Sequence, residues 1–272
     1  MDTVPHSLSV AIISFNEEAR ILRCLESVRT IAREIIVVDA LSTDNTVAIA
    51  ESMGATVFSE KWKGFVDQRN SVLDKCTGDW VLFIDCDEVL SDTLCQSIVT
   101  AIGNGTGECN SYKLQFISCF MGRWITHAWG QDWHTRLIRR GTASWTGHGV
   151  HETLQCQHPM VKLEGVAYHY TYQDYEQHMA KGVHYAALGA AALCLRGKKV
   201  RLYRLITNPL WIFIKQYILK LGFLDGFPGL ILCLTSVHHN FYKYLIAWEM
   251  QHNEALQPPV DRLSGMPPTA DD

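Results

Sequence analysis

Two aspartates one residue apart, Asp85 and Asp87, follow directly on five apolar residues, Trp80-Val81-Leu82-Phe83-Ile84. On an extended backbone, residues two apart point the same way, so both carboxylates can reach one hard cation through oxygen ligands. An apolar run of β-branched and aromatic residues fits a strand covered on both faces. In open α/β sheets the ligand crevice lies beyond the carboxyl ends of such strands. The chemistry this implies is capture of a metal-bound diphosphate. The competing reading of Asp-X-Asp is a polar turn that caps the following helix.

The elements around this stretch must hold it at a sheet edge. Leu8–Ser14 reads as a first strand, and Glu17–Thr30 carries Ile21, Leu22, Leu25 and Val28 at helical spacing. A second strand, Glu34–Asp39, leads through the polar turn Ser42-Thr43-Asp44-Asn45 into a helix that reaches Met53 and stops at Gly54. Ala55–Ser59 is a third strand and Gly64–Cys76 a helix bearing Gln68-Arg69-Asn70. This order predicts an α/β fold with a mainly parallel, doubly wound sheet. Beyond the aspartates, Ser91–Ile102 is a predicted helix and Tyr112–Ser118 a half-buried strand; from there to about Val166 the pattern reads as irregular and aromatic, with Trp124, Trp129, Trp133 and Trp145. Trp129 and Trp145 suit either a core or a face on which a sugar stacks. Gln173–Leu195 and Leu202–Glu249 read as helical, and the chain from Pro258 as a polar tail.

At 272 residues and 47% hydrophobic composition the chain can bury a sizeable core. A net charge of −4 argues against nucleic acid as a partner over the whole surface. Nine cysteines are scattered singly with no Cys-X-X-Cys, the pattern of reduced thiols in a cytoplasmic protein. No signal peptide and no uninterrupted apolar stretch of spanning length is evident.

Four further motifs stand in order with these elements: Ser14-Phe15-Asn16-Glu17-Glu18, Ile36-Val37-Val38-Asp39-Ala40, Gln68-Arg69-Asn70 and Ile84-Asp85-Cys86-Asp87-Glu88. Together they resemble the nucleotide-sugar half of the family 2 glycosyltransferases, inverting enzymes of GT-A fold. Trp133–Arg140, Trp145–Glu152 and Gly222–Gly226 extend the likeness to the bacterial branch that glucosylates the inner-core heptose of lipopolysaccharide. The resemblance implies a GT-A catalytic domain over residues 1–170, with a nucleotide-sugar half 1–90 and an acceptor half 91–170. A helical region 171–257 and a tail 258–272 follow. It also implies that Asp39 bonds the uracil N3–H of a UDP-sugar, that Ser14 and Glu17 line the base and ribose, that Arg69 lies near the nucleotide, and that Asp85 and Asp87 hold Mg²⁺ or Mn²⁺. Ala40 departs from the pattern, since many members carry a second acidic residue there.

Breaking a sugar–diphosphate bond develops positive charge on the ring and negative charge on the leaving phosphate. The site therefore needs positive charge at the phosphate and a base at the attacking hydroxyl. Arg136, Arg139 or Arg140 can add guanidinium charge. Asp132 and Glu152 are both candidates for the base, and His151 for a third metal ligand or a diphosphate contact. In the carboxyl-terminal region, Arg196, Lys198, Lys199, Arg201 and Arg204 precede a broad apolar stripe over Leu205–Leu221. That combination suits a helix lying in an anionic inner-leaflet surface, where a lipid-linked saccharide acceptor would be met; it equally suits a helix packed on the catalytic domain with its lysines exposed, or a dimer contact. The expectation is a cytoplasmic enzyme peripherally associated with the inner membrane. Competing readings are transfer to polyprenyl phosphate, a nucleotidyltransferase, for which no Gly-rich loop follows the first strand, and an inactive UDP-sugar-binding module.

Overall fold

The computed structural model describes residues 7–103, 110–147, 152–156, 160–172 and 174–253. Within these, the chain forms two compact units, one of residues 7–117 and 132–169, the other of 118–131 and 170–253.

The first unit starts with β1 (Leu8–Ser14), α1 (Ile21–Val28), β2 (Glu34–Asp39), α2 (Thr46–Ser52), β3 (Thr56–Ser59), α3 (Phe65–Lys75) and β4 (Trp80–Phe83). Strand β1 lies parallel to both β2 and β4, and β2 parallel to β3, giving the order β3-β2-β1-β4. The apolar runs are continuous because the strands are covered on both sides. Val10, Ile12, Val37 and Leu82 enter one core with Ile21, Cys24, Leu25 and Val28 of α1. Their neighbours Ala11, Val38, Val81 and Phe83 enter the other with Val72 of α3. The buried positions of α1 recur at three- and four-residue spacing, the stripe that makes this short segment a helix against a sheet. Residues 17–20, read as helix, instead form a turn in which Glu17 clamps Arg20.

After β4 come β5 (Glu88–Leu90), α4 (Asp92–Gly103), β6 (Ser111–Phe120), β7 (Arg123–Ile125), β8 (Asp132–Arg139), β9 (Ala143–Thr146), β10 (Thr153–Cys156) and β11 (Met160–His169). The sheet continues β4-β8-β6-β11-β5 with β8 antiparallel to β4 and β6, and β11 antiparallel to β5. The parallel strands follow the order anticipated from sequence, and the antiparallel pairs complete a mixed sheet. The described residues between 119 and 166, read as irregular, are thus largely strand. Trp and His residues there interrupt the period-two pattern, and pairing with β4 and β6 overrides that. Where β11 crosses α4, Gly165 has φ +91°, and a Cβ there would collide with the Leu94 backbone.

The second unit contains the end of β6 paired with β7, then α5 (Tyr175–Leu195), α6 (Arg204–Phe213), a π-helical segment Ile214–Leu219, a 3₁₀ turn Gly222–Asp225 and α7 (Gly226–His252). The helical run expected over Leu202–Glu249 is therefore broken. Leu221 at φ 58° and Gly226 at φ 68° leave the helical region, and the segments on either side meet at 73°. No single helix among the described residues is long and apolar enough to cross a membrane. Arg204–Leu219 and Gly222–His252 meet that length and composition only as a bent pair. Asp225 holds the turn, accepting from Thr126 N (3.1 Å), His127 N (3.1 Å), Ala128 N (2.8 Å) and the Thr126 hydroxyl (3.2 Å).

Candidate active site

The loops that follow β1 and β2 are laced to each other by their polar side chains. Asn16 N–H donates to Ser42 Oγ (2.8 Å), Glu17 N–H to Thr46 Oγ1 (2.7 Å), and Thr43 N–H to Asn16 Oδ1 (2.8 Å). Under this lacing Asp39 is fully buried; its Oδ1 accepts from the Ser14 hydroxyl (2.8 Å) and the Ser42 hydroxyl (2.5 Å), and its Oδ2 from Ser42 N–H (2.7 Å). Ser14 and Asp39 face each other in the β1–β2 register. These residues make a rigid ledge at the carboxyl ends of two parallel strands, with Glu17 engaged by Arg20 at its side.

Asp85 stands where β4 ends, gripped by two arginines. Arg69 Nη2 lies 2.9 Å from Oδ1 and 3.1 Å from Oδ2. Arg136 Nη2 donates to Oδ2 at 3.0 Å and to Glu88 Oε1 at 3.0 Å. Together they hold the Asp85 carboxyl well below the usual carboxylate range against the opposing effect of burial. Arg69 comes from the buried face of α3, with its guanidinium 4.7 Å over the Trp145 ring. Its neighbour Asn70 pins β9 by two amide bonds to the Trp145 backbone, each 2.9 Å. Trp145 is buried against Phe83 at 5.2 Å, so it belongs to the core and not to a sugar face. Pairing of β10 with β9 then brings Glu152 beside Arg69, Oε1 at 3.6 Å from Nε.

Arg136 reaches Asp85 through an irregularity in β8. Tyr112 pairs with Leu137 and Lys113 with Thr135, so Arg136 is the extra residue of a bulge, a device that re-aims a side chain. Arg139 pairs with Trp80 at the opposite end of β4 and is exposed, so the structure does not bring it to Asp85. Arg140 is also at that end, donating to Gly78 O. Asp132, at the start of β8, is bonded to His134 at 2.8 Å, which keeps its pKa below the ordinary value.

Two groups to which the sequence reading assigned no role complete the cluster. Glu88 is buried, accepts from Asp85 N–H (2.8 Å), and burial raises its pKa to about 7 despite Arg136. His169, at the end of β11, lies 3.2 Å from Asp87 Oδ2; burial opposes its charge, but Asp87 and its neighbours carry the pKa up to about 9. The alternation Val166-Ala167-Tyr168-His169 is a strand signal that could have exposed His169, but nothing in the sequence shows that it meets a residue 82 positions earlier. His151 lies outside the described residues.

Buried polar atoms without a hydrogen bond converge here: Arg69 Nε, Arg136 Nη1 and Glu152 Oε2. Buried groups of this kind are normally satisfied, so their concentration marks a place for a polar ligand. The two carboxylates, Asp85 and Asp87, fit a hard divalent cation, and His169 steadies Asp87 from the side. Among the described residues no three His, Cys, Asp or Glu side chains form a ready cage. A cation such as Mg²⁺ needs only one or two carboxylates when substrate phosphates complete its shell.

The family model described as "Glycosyl transferase family 2" matches residues 9–157, which span the ledge, both aspartates, Arg136 and Glu152. The chain belongs to glycosyltransferase family 2. A family member of Rickettsia prowazekii (strain Madrid E), named as an uncharacterized glycosyltransferase, is 33% identical over 249 residues, covering 88% of this chain and 84% of the relative. The lipopolysaccharide core biosynthesis glycosyltransferase LpsC of Rhizobium meliloti (strain 1021) is 28% identical over 264 residues, 93% of this chain and 96% of that protein. Among solved structures, glucosyl-3-phosphoglycerate synthase from Mycobacterium tuberculosis in complex with Mn²⁺, UDP and glucosyl-3-phosphoglycerate is 19% identical, covering 68% of this chain and 79% of that chain with a TM-score of 0.44. The family carries the GT-A fold expected from the sequence, and this chain is a glycosyltransferase.

Proposed function

We propose that this glycosyltransferase moves glucose from UDP-glucose onto the inner-core heptose of a lipopolysaccharide precursor, inverting the anomeric carbon. The observation that carries the reading is the meeting of Asp85, Asp87 and His169 with Arg69 and Arg136 at the carboxyl edge of the parallel strands. Likeness to LpsC along nearly the whole chain supports the acceptor class. Asp85 and Asp87, with His169 beside them, would hold Mg²⁺ or Mn²⁺, which supplies positive charge at the departing diphosphate. Arg69 and Arg136 each carry an N–H that makes no hydrogen bond and can donate to phosphate oxygens as charge builds there. The ledge of Ser14 and Asp39 receives the base, and Asp39 accepts the uracil N3–H once the laced loops that bury it part.

An acceptor hydroxyl needs a carboxylate it can reach. The Asp132 side chain is 57% exposed and steadied by His134, whereas that of Glu152 is 17% exposed and packed beside Arg69. Asp132 therefore takes the proton, and Glu152 positions Arg69. Transfer to a lipid-linked saccharide places the enzyme at the cytoplasmic face of the inner membrane, held there by the basic cluster before α6 and by Ile206, Trp211 and Phe227, which are 72%, 55% and 65% exposed.

The test is UDP release from a panel of UDP-sugars with Mn²⁺, with and without a heptose-containing inner-core acceptor. Acceptor-dependent turnover of UDP-glucose alone is the expected result. Transfer to polyprenyl phosphate with no heptose present would replace the acceptor, and UDP binding without any turnover would leave a binding module.

A further inference from the structure

Within the second unit, α5, α6, the π-helical segment and α7 enclose a cavity of 370 Å³, in the range that takes small ligands. Trp129 and Tyr172 form part of its wall, while Val183, Tyr185 and Tyr242 stand exposed at its rim, so it is open to solutes. Its described lining residues include no carboxylate and no arginine, and Lys243, whose pKa burial lowers, is the one lysine among them.

Three polar atoms in this wall have no hydrogen-bond partner: His178 Nδ1, Asn240 Oδ1 and Gln216 Oε1. His178 and Asn240 are only 9% and 8% exposed. All three are acceptors. For His178 this follows from its other nitrogen. The Thr235 hydroxyl gives its one proton to Leu232 O (2.9 Å), so toward His178 Nε2 (3.0 Å) it can only accept. Nε2 therefore carries the hydrogen. Burial, with His239 nearby, pushes the His178 pKa down to about 4, leaving the ring neutral and Nδ1 a bare lone pair at neutral pH. Gln216 is presented by the π-helical segment, a geometry frequent at functional sites.

This wall of aromatic rings gives a metal ion no carboxylate, and an anion would meet three lone pairs with only Lys243, whose charge burial disfavours, to pair with. The wall accepts a neutral molecule that brings its own O–H donors and an apolar face. We propose that this cavity binds a sugar ring, whose hydroxyls donate to His178 Nδ1, Asn240 Oδ1 and Gln216 Oε1 against Trp129 and Tyr172. The class matches the saccharide acceptor proposed above but does not depend on it, because none of the diphosphate-site residues lines this cavity.

The experiment is saturation-transfer NMR on the full chain with a panel of methyl hexosides and methyl heptosides, without nucleotide or metal. Saturable binding of at least one glycoside is expected, unchanged in Asp87→Asn and weakened about five- to tenfold in Asn240→Leu and in Gln216→Met, each of which removes one acceptor. Gln216→Met keeps the side-chain volume at a half-buried position, so it stands as the folded control if Asn240→Leu does not fold. No saturable binding by any glycoside would mean that water alone fills the cavity and would overturn the proposal. So would binding that Gln216→Met leaves intact, or binding that Asp87→Asn abolishes, which would move the sugar to the diphosphate site and leave the donor reading standing.

Discussion

At the scale of single residues, Asp85 and Glu88 are tolerable beneath the surface because Arg136 is shared between them. Removing one partner of a buried ion pair strands the other charge, typically at a cost of about 3–5 kcal/mol. Arg136→Met should therefore lower stability by about that amount at pH 8, read as a shift in the urea midpoint. The loss should shrink toward pH 5, because Glu88, whose pKa burial already raises, can neutralise itself by taking a proton. An equal loss at both pH values would show that Arg136 acts through packing alone. The two candidate carboxylates separate kinetically. Asp132→Asn should reduce kcat by about 10²–10⁴-fold with UDP affinity unchanged. Glu152→Gln should weaken UDP binding through Arg69. Asp87→Asn should abolish Mn²⁺-dependent UDP binding in calorimetry; an affinity that keeps its metal dependence would remove Asp87 from the cation site.

Elements depend on a few anchoring contacts. The 3₁₀ turn before α7 offers Asp225 to three consecutive backbone N–H groups and to His127 Nδ1 at 3.0 Å. Burial works against the charge, yet these hydrogen bonds hold the Asp225 pKa below its ordinary value. A depressed carboxylate pKa stabilises the fold fully above the unfolded value near pH ~4 and loses that contribution as pH falls through the folded one. Asp225→Ala should cost at least about 2 kcal/mol at pH 7, since it leaves several buried donors unmet, and the cost should fade below pH ~4. Acid titration of the thermal midpoint of both proteins checks this; parallel curves would refute it. The break that Asp225 supports falls among Gly222, Gly226 and Pro228, inside a stretch read as mostly helical. Leu221 in the left-handed region is a conformation that local propensity disfavours and tertiary packing imposes. The bulge that turns Arg136 toward Asp85 was hidden, because it is a mismatch between two strands and not a property of either.

For the whole molecule, a net charge of −4 coexists with five basic residues between Arg196 and Arg204. Beside them in sequence, Leu202, Ile206, Leu210 and Leu219 are each more than half exposed. Scattered apolar residues at a surface need no explanation, but this density next to a cationic run suits an anionic bilayer. Reversing Lys198, Lys199 and Arg201 to glutamate should release the protein from anionic liposomes in flotation, and continued co-flotation would refute the docking.

The sequence alone determined the family, the parallel half of the sheet and the two aspartates at its edge. These rest on local patterns: apolar runs that demand two-sided cover, helix stripes at 3.6-residue spacing, and ordered short motifs. What only the tertiary structure decided is which charges meet. His169 reaches Asp87, Arg136 rather than Arg139 reaches Asp85, and Trp145 serves the core while Trp129 lines a cavity. Those outcomes depend on strand register and on contacts between residues tens of positions apart. A one-residue shift in register turns a side chain to the other face, and no local pattern records it.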